Sequence, residues 1–311
     1  MGLRFKPCVS TSRGHRELRK GKLLRIARIH GDKYRFLDNP EPVIEGLRKC
    51  GNRIDIFTFI QKLPETEPKY RYPMEWDNFA ALPITTYDNW WTKQIDNKTR
   101  NMARRAEKKG VVIREVPFDD ALVKGIQEVY SESRVRQGTQ NSHYGKDFET
   151  VYREEATHLD CSVFIGAYFE DSLIGFIKLV YDETQTQAGL MNIVSMVRHR
   201  DKGPTNALIA QAVRSCTDRG IRYLVYSNFA YGKKVRSSLT DFKENNGFQK
   251  IDVPRYYVPL TLTGRAALGL GVHHGFVRLV PEPILERLRS LRKSWYNYKF
   301  HSEMKLGGDL S

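Results

Sequence analysis

Arg200-Asp201-Lys202-Gly203-Pro204-Thr205, running on into Asn206-Ala207-Leu208-Ile209, is the stretch on which the reading of this chain turns. It stands between an apolar, strand-like run at residues 187–197 and an amphipathic helical pattern at 206–219 that stops at Gly220. The first N–H groups of a helix have no intrahelical partner, and the helix dipole favours negative charge there, so such a junction suits a diphosphate. Gly203 permits close backbone approach, and Pro204 fits the first turn because the N–H it lacks would be unpaired anyway. Arg200 and Lys202 add positive charge. The candidate contacts to a phosphate-bearing ligand are Val197, Arg200, Lys202, Gly203, Pro204, Thr205 and Asn206.

Around this loop the periodicities predict strands at 53–61, 111–116, 162–169, 173–181, 221–226 and 256–262. They predict helices at 96–109, 118–136, 146–158, 241–246 and 281–298. The segment 75–91 mixes aromatic and polar residues and reads as packed surface or a substrate wall. The expected fold class is mixed α/β, a mostly antiparallel central sheet flanked by helices. Three parts are expected: a basic arm with an incomplete α/β subdomain at 1–98, a principal domain at 99–262, and a basic amphipathic helical extension at 263–311.

The bulk properties narrow the function classes. With 40% hydrophobic and 28% charged residues, the chain has an ordinary globular composition. Its net charge of +15 and pI near 9.6 attract polyanions: nucleic acid, anionic lipid or phosphorylated ligands. Cys8, Cys50, Cys161 and Cys216 are scattered without a CxxC pair, which argues against a zinc site or a disulfide framework and fits a reducing cytoplasm. No window approaches the ~18 apolar residues of a membrane span. The basic N-terminus lacks an apolar signal core, so a cytoplasmic location is expected, with the basic segments suited to the periphery of a membrane. No GxSxG elbow and no GxxxxGK[ST] loop is present. The doublet His273-His274 has no Cys or His nearby at ligand spacing, so no metal site is expected.

In the 200–206 loop the chain resembles the GNAT superfamily of acyl-CoA N-acyltransferases, which carry Arg/Gln-x-x-Gly-x-Gly/Ala between a central strand and the helix that holds the CoA pyrophosphate. Arg200 and Gly203 match; Thr205 stands where Gly or Ala is usual. Asn228, after the 221–226 strand, occupies the place of an Asn near the cofactor arm. Phe242-Lys243-Glu244-Asn245-Asn246-Gly247-Phe248 is similar to the closing Phe-Tyr-x-x-x-Gly-Phe helix, with Lys243 in place of the Tyr that often protonates the leaving thiolate. A second, weaker resemblance lies in Thr99-Arg100-Asn101-Met102-Ala103-Arg104-Arg105, continuing to Gly110-Val111, which is similar to the basic entry segment of Fem-type transferases, some of which use aminoacyl-tRNA.

The GNAT resemblance implies an acyl-CoA donor, acetyl-CoA as co-substrate, and an amine acceptor: an amino sugar, a peptide amine or an amino acid. It implies that the 187–197 strand offers backbone N–H groups to the thioester carbonyl. Asn192 and Ser195 on that strand point to opposite faces by alternation. Candidate bases are Glu154, Glu155 and His143; Tyr231, Tyr256 and Tyr257 are phenols that can replace the missing general acid. The catalytic set expected is Glu154, Tyr231 and Asn192. Glu154 and Glu155 also read as exposed helix charges, and Lys243 as solvent-facing. The Fem-type resemblance implies a charged tRNA as donor, which the basic helix at 96–109 suits. A catalytically silent fold that binds RNA or an anionic membrane is the reading from a different class. Gly203→Glu is expected to block CoA by bulk and charge while leaving the fold intact.

Overall fold

The computed structural model describes residues 17–20, 24–29, 36–49, 54–136, 139–230 and 237–274, with 287, 290 and 291. Its first strands and helix are β1 (Glu17–Lys20), β2 (Ile26–Ile29), α1 (Glu41–Lys49), β3 (Ile56–Ile60) and β4 (Met74–Pro83). A single helical turn, α2 (Tyr87–Asn89), and a π-turn at Trp90–Gln94 lead into α3 (Asn97–Lys108). Then come β5 (Val112–Val116), α4 (Asp120–Ser131), the short paired strands β6 (Val135–Arg136) and β7 (Thr139–Gln140), and α5 (Phe148–Glu155). The principal strands β8 (Ser162–Phe169), β9 (Ser172–Tyr181) and β10 (Gln187–Ser195) precede a 3-10 turn at Val197–Lys202 and α6 (Pro204–Asp218). The remainder is β11 (Tyr223–Asn228), α7 (Ser238–Asn245), β12 (Gln249–Pro259), α8 (Leu262–Gly269) and a 3-10 turn at Val272–His274.

Ten strands form one sheet in the order β1-β2-β3-β12-β4-β11-β10-β9-β8-β5. All neighbours are antiparallel except β2 with β3 and β10 with β11. Strands from residues 17–83 and from 112–259 therefore share the sheet. Along β9, Lys178 reaches α5 and Tyr181, three residues on, reaches α6, so these helices cover opposite faces. The main core lies between the sheet and α4 and α6, built from residues such as Ile126, Phe176, Ile177 and Leu208. A second core packs Phe57, Phe59 and Tyr256 against α1.

Local sequence explains the helix limits. Side-chain oxygens of Asp96, Asp119 and Asp147 accept from the N–H of Thr99, Leu122 and Thr150 at 2.7, 2.8 and 2.7 Å, satisfying first-turn donors of α3, α4 and α5. Gly110, Gly220 and Gly247 close α3, α6 and α7 at φ +77, +69 and +87°, where an L side chain is strained. The two-residue turn between β8 and β9 puts Glu170 at φ 49° and Asp171 at φ 63°, a type I′ geometry made without glycine.

The sequence reading assigns no element to β1, β2, α1, α2, β6 or β7, and four further elements differ from it. β4 replaces the irregular segment expected at 75–91; it is flanked by β11 and β12 and buried on both faces from Phe79 to Leu82, so it shows no alternation. β12 begins at Gln249 rather than 256, because its first half pairs with β4 across polar residues and Pro254. α4 ends at Ser131, and the chain turns so that Val135 and Arg136 pair with β7. α8 lies at the start of the extension drawn at 263–311; of the helix expected at 281–298 only Arg287, Ser290 and Leu291 are described, each helical, and most of the basic arm lies outside the described residues. Among the described residues, no helix is long and apolar enough to cross a membrane.

Phe59 is 1% exposed and stacks on Tyr256 with ring centroids 5.1 Å apart. Phe59→Ala is expected to destabilise the fold by about 3–5 kcal/mol in urea unfolding, whereas Trp76→Ala, at a residue 54% exposed, should change it by less than about 0.5 kcal/mol.

Candidate active site

The parallel pair β10–β11 is short. Residues 187–189 pair with 223–225, and no further. A bulge between Leu190 and Asn192 turns β10, and an irregularity between Val225 and Asn228, with Ser227 at φ 50°, turns β11. Past these points the strands part and leave a cleft of about 600 Å³. Its walls are the end of β10 from Ile193 to Met196, Tyr226 of β11, Arg136, the 200–206 loop, and Leu239 and Phe242 of α7.

The parting exposes a backbone edge. Met196 donates its N–H to Ile174 O on the β9 side at 2.8 Å. By alternation the backbone of Ser195 and Ile193 faces the other way, into the opening. Arg136 follows this geometry: its Nη1 donates to Ser195 O at 2.9 Å and its Nη2 to Val129 O at 3.0 Å.

The 200–206 loop forms a further wall of the cleft. The 3-10 turn Val197–Lys202 ends in Gly203 at φ +72°, whose N–H donates to Arg200 O at 3.1 Å. Pro204 is the first residue of α6, and the N–H groups of Thr205 and Asn206 sit in its first turn, where no intrahelical acceptor exists. The hydroxyls of Ser195 and Thr205 lie 2.6 Å apart and tie the loop to β10. Asn206 Nδ2 donates to Asn246 Oδ1 at 3.2 Å and ties it to the end of α7.

Gly203 has a second constraint. A Cβ there would lie 2.4 Å from Met102 O in α3. Gly203→Glu would therefore displace α3 and is not the fold-neutral probe expected from the sequence. The contact also sets the basic helix α3 beside the loop, with Lys109 Nζ 3.7 Å from an Asp201 carboxylate oxygen.

Of the residues singled out from the sequence, Val197, Arg200, Gly203, Pro204, Thr205 and Asn206 line the cleft together. Lys202 does not; its ammonium lies 4.6 Å from the Phe169 ring centroid. Asn228 is turned to Asp77, donating to Oδ1 at 2.5 Å. Glu154 is exposed and bonded to Lys146 at 2.6 Å, with His143 Nδ1 3.2 Å from the same ammonium. Tyr256 donates to Gln61 Oε1 at 2.8 Å in the second core, and Tyr257 packs against His273. Tyr231 lies outside the described residues.

Asn192 and Ser195 do face opposite sides, Ser195 the loop and Asn192 the helix α5. There Asn192 Nδ2 donates to both Glu155 carboxylate oxygens at 2.8 and 2.9 Å. Glu155 is buried, not the exposed helix charge it resembles in sequence. Tyr130 Oη donates to it at 2.8 Å, and Lys178 Nζ donates to the Glu155 and Thr157 carbonyls at 2.5 Å each. Burial pushes the Glu155 carboxyl above its usual range, against hydrogen bonds from Tyr130 and Asn192 and the Lys178 charge that pull it down. Burial lowers the Lys178 ammonium to about 8, opposed by the Glu155 charge.

Lys243 is also fully buried, contrary to the solvent-facing position expected. Its Nζ donates to Asn228 O at 2.5 Å and lies 4.6 Å from the ring centroid of Tyr226, a cation–π contact at the cleft wall. Sequence reasoning missed Arg136, Tyr226 and the Glu155–Lys178 pair. Lys178 did carry a signal, as the single charge in the apolar run of β9; Arg136 and Tyr226 carried none, because the cleft that gives them meaning is tertiary.

No family model matches the chain, and no curated protein matches its sequence. Solved structures do match in fold. One is the C-terminal domain of a protein assigned as a lysylphosphatidylglycerol synthetase in Agrobacterium fabrum: TM-score 0.51, 15% identity, covering 82% of this chain and 84% of that one. Another is L-PGS from Bacillus licheniformis: TM-score 0.50, 14% identity, covering 76% and 78%. A third is a conserved protein of unknown function from Bacteroides thetaiotaomicron: TM-score 0.53, 10% identity, covering 79% and 82%. At these identities the likeness is one of fold. The fold class expected from the sequence, a mixed α/β fold with a mostly antiparallel central sheet flanked by helices, is the one found.

Removing the Lys178 ammonium leaves the Glu155 and Thr157 carbonyl oxygens without their donor and the buried Glu155 carboxylate without a neighbouring positive charge. Lys178→Met is expected to cost about 3 kcal/mol in urea unfolding at neutral pH. The pH dependence has a definite sign. The folded value of about 8 lies below the ordinary 10.5, so between them the unfolded chain holds more protons. Wild-type stability relative to Lys178→Met should therefore rise from pH 8 toward 10.5.

Proposed function

We propose that this protein is a GNAT-fold transferase that moves an acyl group from acyl-CoA to an amine. The observation that carries the reading is the parting of β10 from β11 directly beside a helix N-terminus that presents Arg200 and the N–H groups of Thr205 and Asn206. A long donor with a diphosphate at one end and a thioester at the other suits both features. The diphosphate sits at the α6 N-terminus and Arg200. The arm follows the open edge of β10. The thioester carbonyl takes hydrogen bonds from the cleft-facing N–H groups of Ile193 and Ser195, which stabilise the oxyanion as it forms.

The amine nitrogen attacks the thioester carbon, forming the C–N bond, and loses a proton to water. As the C–S bond breaks, Tyr226 gives its phenolic proton to the leaving sulfur. The ammonium of Lys243, 4.6 Å from the Tyr226 ring centroid, holds that ring at the cleft wall. Tyr226 and Lys243 together take the role of the Tyr that stands at the Lys243 position elsewhere in the superfamily.

A second reading, with aminoacyl-tRNA as donor, is favoured by one feature. Arg105, Lys108 and Lys109 are exposed on α3, which packs on the loop through Gly203. One fold relative is named as a lysylphosphatidylglycerol synthetase, which adds an anionic lipid to the acceptors to be tested. Either donor places phosphate against the same helix N-terminus.

Steady-state kinetics with acetyl-CoA and a panel of amines tests the assignment. Tyr226→Phe is expected to lower kcat by about 10²-fold with little change in KM. Arg200→Ala is expected to raise KM for the donor by roughly tenfold with kcat retained. Two variants that both turn over like wild type would contradict it.

A further inference from the structure

We propose that Glu75, His273 and His274 form a binding site for a divalent transition-metal ion of the zinc class, apart from the cleft. In the sequence the histidine doublet has no third ligand at local spacing. The sheet supplies one from nearly two hundred residues away. Glu75, at the start of β4, pairs with Arg255 on β12. After β12 and α8 the chain reverses at Gly271, φ +67°, and the turn Val272–His274 returns over Tyr257. The Tyr257 ring centroid is then 4.8 Å from that of His273 and 6.1 Å from that of His274.

The three side chains converge. Nε2 of His273 and Nε2 of His274 lie 3.3 and 2.6 Å from the same Glu75 oxygen, and one ligand atom from each residue falls within 4.8 Å of the others. Consecutive side chains of a 3-10 turn diverge by about 120°, yet here the ring centroids are 3.8 Å apart. The imidazoles are largely buried, at 5% and 19% side-chain exposure, while Glu75 at 37% leaves a path to solvent. His273 Nδ1 is buried without a hydrogen-bond partner, so the contacts to Glu75 do not use up the polar capacity of the cluster.

The donor set decides the class of ion. Two imidazoles and one carboxylate suit zinc and its borderline neighbours rather than calcium or magnesium, which take oxygen ligands. Three protein ligands leave a fourth tetrahedral position for water. Arg255, across from Glu75, has its charge balanced by Asp77, with Nε 2.9 Å from Oδ2, which reduces its opposition to a cation. A bound ion would pin the turn after α8 to the edge of β4.

The test uses the full-length chain without an affinity tag, treated with a chelator and dialysed. Zn²⁺ alone is titrated in by calorimetry, and melting is followed with Zn²⁺ and then with EDTA. The site predicts one Zn²⁺ per chain, a melting rise of a few degrees at saturating ion that EDTA reverses, and at least tenfold weaker binding in both Glu75→Gln and the double variant His273→Ala/His274→Ala. Glu75→Gln preserves shape, so it remains informative if the double variant fails to fold. Absence of Zn²⁺ binding by wild type would overturn the proposal, as would Zn²⁺ binding of undiminished affinity in Glu75→Gln, which would place the ion elsewhere, at cysteines for example.

Discussion

Two parallel strands that stay together for three residue pairs and then separate are the constraint on which the rest of this structure depends. Interior backbone edges are costly to leave unpaired. The molecule meets part of that cost with side chains: Arg136 binds Ser195 O on β10, and Lys243 binds Asn228 O on β11. The bulge in β10 and the positive φ of Ser227 in β11 produce the separation without breaking the outer pairings with β9 and β4. A cleft made this way has backbone donors along one wall and a helix N-terminus at its end. On the proposed reading it would recognise a long, phosphate-bearing donor chiefly through main-chain groups, so few side chains betray it in the sequence.

Two buried lysines brace the walls. Lys178 and Lys243 both give their ammonium groups to main-chain carbonyls, and each lies near an aromatic face, Phe164 for one and Tyr226 for the other. Burying such charges is expensive unless every proton finds an acceptor. Lys178 joins β9 to the end of α5, and Lys243 joins α7 to the end of β11. Glu155 then links α5 to Asn192 on β10. The face of β10 away from the loop is therefore held by a hydrogen-bonded cluster, while the loop face is held by the Ser195–Thr205 pair.

Much of the fold was legible because its signals are local. Asp96, Asp119 and Asp147 mark helix starts by capping, and Gly110, Gly220 and Gly247 mark helix ends by their left-handed conformations. The 200–206 loop was legible for the same reason: a strand, a glycine, a proline and a helix follow in order. β4 was missed because a strand buried on both faces loses its period. The first half of β12 was missed because its partner lies far away in sequence. Lys243 looked solvent-facing because helix position alone does not report burial, and Glu155 could not be told from Glu154, its exposed neighbour. Local spacing offers the doublet His273-His274 no third ligand, and the β4–β12 register brings Glu75 to it.

The claim at the centre of this account is that the opening between β10 and β11 holds a CoA thioester. Thermal melting of the purified protein with acetyl-CoA, desulfo-CoA and bulk tRNA at low and high salt tests it most directly. Ligand at about a hundred times its dissociation constant adds about 2.7 kcal/mol, which is a shift of a few degrees. The account predicts a rise with both CoA compounds that persists at high salt. No shift with either CoA compound, together with a tRNA shift that vanishes as salt rises, would contradict it.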